Sequence, residues 1–289
     1  MTDTKTGWWQ RLGPRRRHLV SYSAVLVAFV LLWEGYKLVW GALGWTIPVR
    51  SDNVVMPHTW DMVIELFRPV RRGGNLLILD LLARSLWTLR EVLVGFAIGA
   101  LVGFGLGVLF VRSRLAERAF MPYVVASQTV PILAIAPMVV VWGGRLDIAQ
   151  WMSVSVIAAY LTFFPVAINT LRGLRSPDPN ALELMRSYAA APNHVLWKLQ
   201  FPSALPYIFT ALKVSATASV VGSLIGELPA GFQNGLGRAL LTFSSQFAVQ
   251  SKKLYATVII CAMFGFLFVG LVDFTERRVV REARQVEVT

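Results

Sequence analysis

Residues 92–111 read VLVGFAIGALVGFGLGVLFV, twenty residues without a charge. A helix that crosses about 30 Å of hydrocarbon needs about 20 mainly apolar residues, because its backbone amides and carbonyls must bond within the segment. Glycine recurs at every fourth position, at Gly95, Gly99, Gly103 and Gly107. This spacing places four bare backbone patches on one stripe of a helix. The stretch therefore predicts a membrane-spanning helix with a second helix packed closely against the stripe.

The composition of the whole chain agrees with a membrane protein. Of its 289 residues, 55% are apolar and 15% are charged, whereas soluble domains carry roughly 25% charged residues. The mean hydropathy is +0.57. A net charge of +12 would suggest nucleic acid in a soluble protein, but here it raises the question of which side of the bilayer the cations occupy. We expect a chain surrounded by lipid, with no nucleic-acid partner.

Five further stretches are long and apolar enough to span the bilayer, so the predicted fold is all-α with six transmembrane helices. They are residues 19–43, 119–144, 148–171, 207–226 and 254–272. The second of these contains Pro131 and Pro137, and each proline frees a carbonyl that lipid cannot satisfy. A kink that serves packing alone and a kink in a span that lines a solute path are both compatible with this pattern.

Three charged residues fall inside the predicted spans. Glu34 and Lys37 are three residues apart on one helix face, so they could pair near the outer end of the first span. Lys213 lies in the first two turns of its span, where a long side chain can reach the interface. Asp273 and Glu276 are interpreted as interfacial charges at the end of the last span.

More Lys and Arg residues fall on the cytoplasmic side if both termini are placed there. We therefore predict a multi-pass protein of the bacterial plasma (inner) membrane with cytoplasmic N- and C-termini. The predicted organisation is a tail at residues 1–18, a first transmembrane helix at 19–45, an extracytoplasmic connection with an interfacial helix at 46–80, a five-helix core at 81–276, and a tail at 277–289.

The loop at residues 172–206 is 35 residues long, whereas connections in helix bundles commonly have about 2 to 8 residues. Asp178 and the two residues after it favour a helix that begins near Ala181. A break is expected at about Ala191, because proline follows and is favoured at the first position of a new helix. We predict two short helices in this loop, the second at residues 193–200.

Residues 183–189 of this loop read ELMRSYA, followed by Pro202 and by Leu205-Pro206. This pattern resembles the EAA loop of ABC importer permeases, with Glu183 on the motif glutamate and Ala189 on its glycine. Pro192 could supply the break that glycine otherwise permits. The resemblance to the nitrate, sulfonate and taurine branch of these binding-protein-dependent (MetI-like) permeases extends over LARSLW at 82–87, VPILAIAP at 130–137, FFPVAINTLRGL at 163–174, GE at 226–227 and GLG at 235–237.

The resemblance implies a permease subunit that pairs with a second copy of itself or with a similar chain. It also implies two copies of a separate ATPase, which carry ATP and Mg, and an extracytoplasmic solute-binding protein. Relatives of this branch handle nitrate, sulfonates, taurine and pyrimidine-type precursors. The chain has no Gly-x-x-x-x-Gly-Lys-Ser/Thr motif, so ATP hydrolysis is expected on the partner.

The resemblance assigns ATPase coupling to one short element of the loop, which consists of Glu183, Leu184, Met185, Arg186, Ser187, Tyr188, Ala189 and Pro192. We hypothesise that Glu183 and Arg186 make polar contacts with the ATPase and that the apolar side chains and Tyr188 fill its groove. The alternative is an ordinary solvated amphipathic connector.

Several polar residues are candidates for a translocation path or gate. Glu227 ends a span and precedes a glycine-rich loop, so it is either bonded to backbone amides or exposed to the path. The other candidates lie within spans and either line a route for solute or bond a neighbouring helix. They are Gln128, Thr129, Tyr160, Asn169, Ser215 and Ser219.

No catalytic or metal site is predicted. The one cysteine, Cys261, lies in an apolar run, the three histidines are far apart, and no His-Glu-x-x-His motif occurs. We therefore expect no cofactor bound by this chain. A self-contained secondary transporter or channel is the rival interpretation, and it would need an ionisable group deep in a span, for which Glu34 is the candidate. A membrane enzyme would need a cluster of converging ionisable residues, which the sequence does not suggest.

Overall fold

A computed structural model describes residues 14–229 and 233–286, with side chains at 20–229 and 233–279. Most of the predicted tail at 1–18 lies outside these ranges. Eleven α-helices occur in the described part of the chain: α1 (Pro14–Leu43), α2 (Thr59–Glu65), α3 (Leu77–Arg112), α4 (Arg114–Ala126), α5 (Ile132–Arg145), α6 (Gln150–Leu174), α7 (Pro179–Ser187), α8 (Pro192–Val195), α9 (Phe201–Gly226), α10 (Leu236–Ser245) and α11 (Phe247–Val286). The all-α prediction is confirmed.

Five of these helices are long and apolar enough to cross a membrane, and the number is six if α4 and α5 together form one span. The bend predicted within residues 119–144 is present as a break between two helices, since α4 and α5 meet at an angle of 100°. A short 3-10 turn at Ser127–Thr129 ends α4, and Val130 is extended (φ −76°, ψ 124°). A residue before proline avoids the helical region because of the proline ring, so the chain breaks in front of Pro131.

The described chain divides into two compact units. Of the described residues, the terminal unit comprises 14–77 and 243–256, and the core unit comprises 78–229, 233–242 and 257–286. The predicted interfacial helix corresponds to α2 in the terminal unit. The candidate site residues all belong to the core unit.

Within the terminal unit, Glu34 and Lys37 do not pair with each other. Glu34 accepts hydrogen bonds from the backbone amide of Thr59 (2.7 Å) and from its hydroxyl (2.9 Å), and lies 2.7 Å from Nδ1 of His58. Lys37 donates to Oδ1 of Asn53 (2.6 Å). The possible local ion pair is not formed, because the connection after α1 folds back and supplies a separate partner for each charge.

In the core unit, α3 packs on α6 along the glycine stripe. A Cβ atom built at Gly95 would lie 2.5 Å from the Cβ of Ala158, and one built at Gly107 would lie 2.6 Å from the Cβ of Thr170. Gly99 and Gly103 contact the α6 backbone and side chains as closely. We call this contact the glycine seam. Only a residue without a Cβ permits this separation, because real Cβ atoms do not approach other atoms so closely.

The other face of α6 packs on α9, where small residues again meet. A Cβ atom built at Gly222 of α9 would lie 3.1 Å from the Cα of Ala158, and one built at Gly173 of α6 would lie 3.0 Å from the Cα of Ala204. α6 is therefore enclosed on two sides. Thirteen of its residues are buried, and it forms the centre of the core unit.

Lys213 pairs with acidic residues of a neighbouring helix. Its ammonium group lies 2.6 Å from Oε2 of Glu276 and 3.5 Å from Oδ1 of Asp273, which links α9 to α11. The two acidic residues interpreted as interfacial charges are therefore its partners. A cation near lipid is stabilised most where acidic groups on a neighbouring helix receive it.

Two helices begin earlier than the hydropathy pattern suggests. α3 starts at Leu77, fifteen residues before the charge-free stretch, and α11 starts at Phe247, with a kink at Gln250. Helical structure also continues from α8 through a π-helical turn at Leu196–Gln200 into α9. The predicted stop before Pro202 is wrong, because the π-helical turn carries the helix up to this proline.

Candidate coupling loop and polar sites of the core unit

The loop at residues 172–206 contains α7, which begins as its sequence predicts. The carboxylate of Asp178 accepts a hydrogen bond from the backbone amide of Asn180 (2.7 Å), and Pro179 occupies the first turn. A capping side chain and an early proline both favour helix initiation. The helix starts at Pro179, two residues before the predicted start near Ala181.

Ala189 terminates α7 in the left-handed conformation (φ 50°). The amide of Ala190 donates to the carbonyl of Met185 (3.0 Å), and the amide of Ala189 donates to that of Arg186 (2.9 Å). These two bonds form a Schellman motif, which usually places glycine at the left-handed position. The position that resembles the motif glycine is therefore where the chain reverses. Pro192 begins α8 instead of making this break.

The predicted coupling residues form an open surface. No residue of α7 is buried, and Leu184 and Tyr188 have 57% and 77% of their surface exposed. Glu183, Arg186, Ser187, Ala189 and Pro192 are exposed as well, and Met185 is half-buried. Leu184 and Tyr188, four residues apart, therefore expose apolar and aromatic surface of the kind that becomes buried when two proteins bind.

A cavity of about 1180 Å³ lies beside this loop. Its lining includes Arg114, Arg118, Arg175 and Arg186, with Glu117 as the acidic member. The guanidinium of Arg175 binds Glu117 through two hydrogen bonds, one of 2.8 Å, which fixes α4 to the end of α6. The hydrogen bonds that Arg175 donates to the Glu117 carboxylate raise the pKa of the guanidinium.

The path candidates separate into two groups. Gln128 and Thr129 are exposed in the turn between α4 and α5, and the Tyr160 hydroxyl bonds the carbonyl of Ser127 in the same turn. Ser215 and Ser219 are fully buried and donate to the carbonyls of Thr162 and Val92 (3.2 Å each). Asn169 donates to the carbonyl of Pro165 in its own helix (2.8 Å). The structure thus brings the first three residues together at the break and places the others in helix contacts.

Glu227 is fully buried and holds the loop that follows it. Its carboxylate accepts hydrogen bonds from the hydroxyl of Thr88 (2.6 Å) and the amide of Gly237 (2.5 Å). The Thr88 oxygen also accepts a hydrogen bond from the amide of Leu236 (3.0 Å). Gly235 has φ of 100° and lies so close to the carboxylate that a side chain there would overlap it. Of the two alternatives for Glu227, bonding to backbone amides is the one observed.

Sequence reasoning missed Glu91 as a buried ionisable residue. Its side chain is fully buried, and it lies three residues after Thr88, which donates to Glu227. Glu91 comes directly before the charge-free stretch, and this position suggests a residue at the end of a span. Because α3 begins at Leu77, Glu91 is instead in the interior of a helix.

Comparison with known proteins identifies the family. The family described as "Binding-protein-dependent transport system inner membrane component" matches residues 95–281. The formylaminopyrimidine transport permease protein ThiX of Halalkalibacterium halodurans is 33% identical over 62% of this chain and 69% of its own length. The putative aliphatic sulfonates transport permease protein SsuC of Bacillus subtilis is 30% identical over 94% of this chain and 91% of its own.

Solved structures share the fold. A chain of the MetNI methionine ABC transporter in inward-facing conformations has a TM-score of 0.58 at 19% identity, and the match covers 70% of this chain and 96% of that one. A chain of an amino acid ABC transporter has a TM-score of 0.52 at 20% identity, over 66% and 90%. The chain therefore belongs to the inner membrane component family of binding-protein-dependent transport systems and is a permease subunit of an ABC importer, not an enzyme.

Proposed function

We propose that this permease is driven through α7 by a separate ATPase subunit that carries ATP and Mg. The observation that supports this most is a well-capped helix with no buried residue, which exposes Leu184 and Tyr188. Its two ends are held by local hydrogen bonds, those of the Asp178 cap and of the turn at Ala189. It therefore suits a groove in another protein, where its apolar side chains become buried.

Continuity with the core unit supports transmission of movement from α7. The chain runs from α7 through α8 and the π-helical turn into α9 without a flexible segment of glycines. α9 in turn packs tightly on α6. A displacement of α7 would be passed to α9 as a rigid body, and a few kcal/mol of differential binding by the ATPase is enough to shift a two-state equilibrium.

We infer the arrangement around the subunit from the same proposal. α7 belongs in the cytoplasm, together with both termini, and two copies of the ATPase engage a pair of permease chains, most simply a homodimer. An extracytoplasmic solute-binding protein delivers the solute on the opposite face. Gln128, Thr129 and Tyr160, at the break between α4 and α5, are the polar residues best placed to contact solute.

The transported solute is proposed to be small and polar, of the nitrate, sulfonate, taurine or pyrimidine-precursor type. The relatives named above act on a formylaminopyrimidine and on aliphatic sulfonates, and a nitrate import permease protein of Leptolyngbya laminosa is 25% identical over 92% of this chain. Uptake of labelled nitrate, taurine, an alkanesulfonate and an aminopyrimidine by the assembled transporter separates these classes.

The coupling proposal is tested with the Leu184→Ser, Tyr188→Ser double variant, co-expressed with the ATPase. We expect the amount of co-purified ATPase to fall at least about tenfold, which corresponds to a loss of about 1.4 kcal/mol of binding. Solute uptake should fall with it.

The matched control is His194→Ala, since His194 is exposed in the same loop but lies outside α7. This variant should retain both ATPase and uptake. Normal uptake by the double variant would overturn the role of α7. Accumulation of solute in vesicles that contain this chain and no ATPase would instead establish the rival secondary transporter or channel.

A further inference from the structure

The interior of the core unit contains two carboxyl groups, those of Glu91 and Glu227, with no solvent access. Thr88, which donates to Glu227 (2.6 Å), and Glu91 are three residues apart in α3, so the two carboxyl groups lie next to the same face of this helix. Their charge states determine whether this part of the structure is stable, because two buried negative charges side by side repel strongly and are costly to remove from water.

Glu227 has the hydrogen bonds of an ionised carboxylate. Each of its oxygens accepts a hydrogen bond, Oε1 from the Thr88 hydroxyl and Oε2 from the Gly237 amide. Arg84 is the cation that acts on it most. A carboxylate is an acceptor at both oxygens, so these donors match the charged form.

Glu91 has the opposite surroundings. Neither of its oxygens receives a hydrogen bond of normal geometry from the described residues, and the side-chain donor that acts on it is the Trp87 indole. The adjacent cation, Arg90, is stacked between the rings of Trp87 and Trp151, at 4.3 and 4.4 Å from their centroids. Two of the Arg90 nitrogens are themselves buried without a partner, so the guanidinium does not neutralise Glu91 through a hydrogen bond.

We propose that Glu91 binds a proton and donates it in a hydrogen bond to the ionised carboxylate of Glu227, so that the pair is a proton-binding site that secures the start of α10 to α3. A single proton on Glu91 would lower the free-energy cost of burying this pair in two ways. It removes the second buried charge, and it gives Glu91 a partner.

The consequence lies at the start of α10. Glu227 and Thr88 together bind the amides of Gly237 and Leu236, the first two residues of this helix. Loss of the proton from Glu91 would place two negative charges together and weaken this attachment. The ionisable groups that act on the pair are Arg84, Arg90 and, on α11, the thiol of Cys261. No group of three or more metal-ligating side chains occurs in the described residues, which favours a proton over a metal ion.

The first test is infrared spectroscopy of the full chain with its ATPase in lipid nanodiscs, recorded in water and in heavy water at neutral pH. The wild type should show the carbonyl band of a protonated, non-hydrated carboxylic acid, and Glu91→Gln should lack it. Glu117→Gln is the control, because Glu117 is an ion-paired carboxylate of the same unit, and this variant should keep the band. Absence of the band in the wild type, or its persistence in Glu91→Gln, overturns the proposal.

The second test is the pH dependence of thermal unfolding. A group that is protonated in the folded protein and ionised in the unfolded chain makes the folded protein less stable as pH rises. The unfolding temperature of the wild type should therefore fall relative to that of Glu91→Gln, by roughly 2–5 °C per pH unit through neutral pH. Parallel profiles for the two proteins contradict the proposal. Stabilisation of the wild type by Na⁺ or Ca²⁺, together with loss of the band, would assign the site to a cation instead.

Discussion

The glycine seam and α7 differ in what holds their helices in position. In the seam, α3 and α6 approach so closely that a single Cβ at Gly99 would lie 2.5 Å from the Cβ of Thr162. In α7, no residue is buried, and the helix is positioned only by its two ends. Packing therefore fixes the first region, and local backbone bonds fix the second. The seam should be intolerant of added volume, whereas α7 should tolerate changes to its surface but not to its ends.

The largest effect is expected from Gly99→Leu. The new side chain would overlap Thr162 and the carbonyl of Ala159, so the two helices must separate. We expect a loss of at least about 3 kcal/mol in the free energy of unfolding. Thermal unfolding followed by size-exclusion chromatography in detergent measures it.

Gly105→Leu is the matched control on the same helix, because a Cβ there would meet no atom within 4 Å. This variant should unfold near the wild-type temperature. Equal destabilisation by the two variants would mean that α3 rejects leucine in general and that the seam has no special role.

Ala189→Gly is expected to stabilise the protein, by less than Gly99→Leu destabilises it. The left-handed conformation at φ 50° costs an L-residue roughly 1–2 kcal/mol, and glycine avoids this cost. We expect stabilisation of the loop by about 1 kcal/mol, measured as slower hydrogen exchange of the Ala189 and Ala190 amides.

Ala191→Gly is its control, since Ala191 has φ of −61° and gains no relief from glycine. It should speed exchange slightly because glycine increases the entropy of the open loop. If both variants slow exchange equally, the backbone conformation at Ala189 is not the cause.

Ser219→Ala should lower the free energy of unfolding by only a small amount. The Ser219 hydroxyl is fully buried and donates to the carbonyl of Val92 (3.2 Å), which joins α9 to α3. Such bonds between membrane helices are worth about 0.6 kcal/mol on average. Unfolding near the wild-type temperature would agree with a core held mainly by shape, whereas a loss similar to that of Gly99→Leu would show that the polar bond dominates.

The smallest effect on stability is expected from the Leu184→Ser, Tyr188→Ser double variant. Both side chains are exposed, so the free energy of unfolding of the isolated chain should change by less than about 0.5 kcal/mol. The same variant is expected to lose the ATPase. A large loss of stability in the isolated chain would indicate that α7 is held by packing after all.

The sequence predicts structure well where that structure depends on residues close together in the chain. The four-residue spacing of glycines predicts a stripe, and the capping residues Asp178 and Pro179 predict the start of a helix to within two residues. It also placed the chain reversal near the end of α7. It attributed that reversal to Pro192, although the left-handed residue is Ala189, because proline is visible in a sequence and a positive φ at alanine is not.

The errors concern residues whose partners are distant in the chain. The sequence leaves open whether Glu34 and Lys37 pair, because they share a helix face, and the structure gives both of them partners at residues 53–59 instead. Glu91 was overlooked because its neighbour, Glu227, is 136 positions away in the sequence.

The amino-acid sequence by itself determined the membrane class, the helical content and the α7 element, since hydropathy, spacing and capping act over one to four turns. Tertiary structure alone decided the 100° break between α4 and α5, the partners of Lys213 and the burial of Glu91 beside Glu227. The physical reason is that charge pairing and burial depend on which helices become neighbours, and that choice is made by packing across the whole core unit.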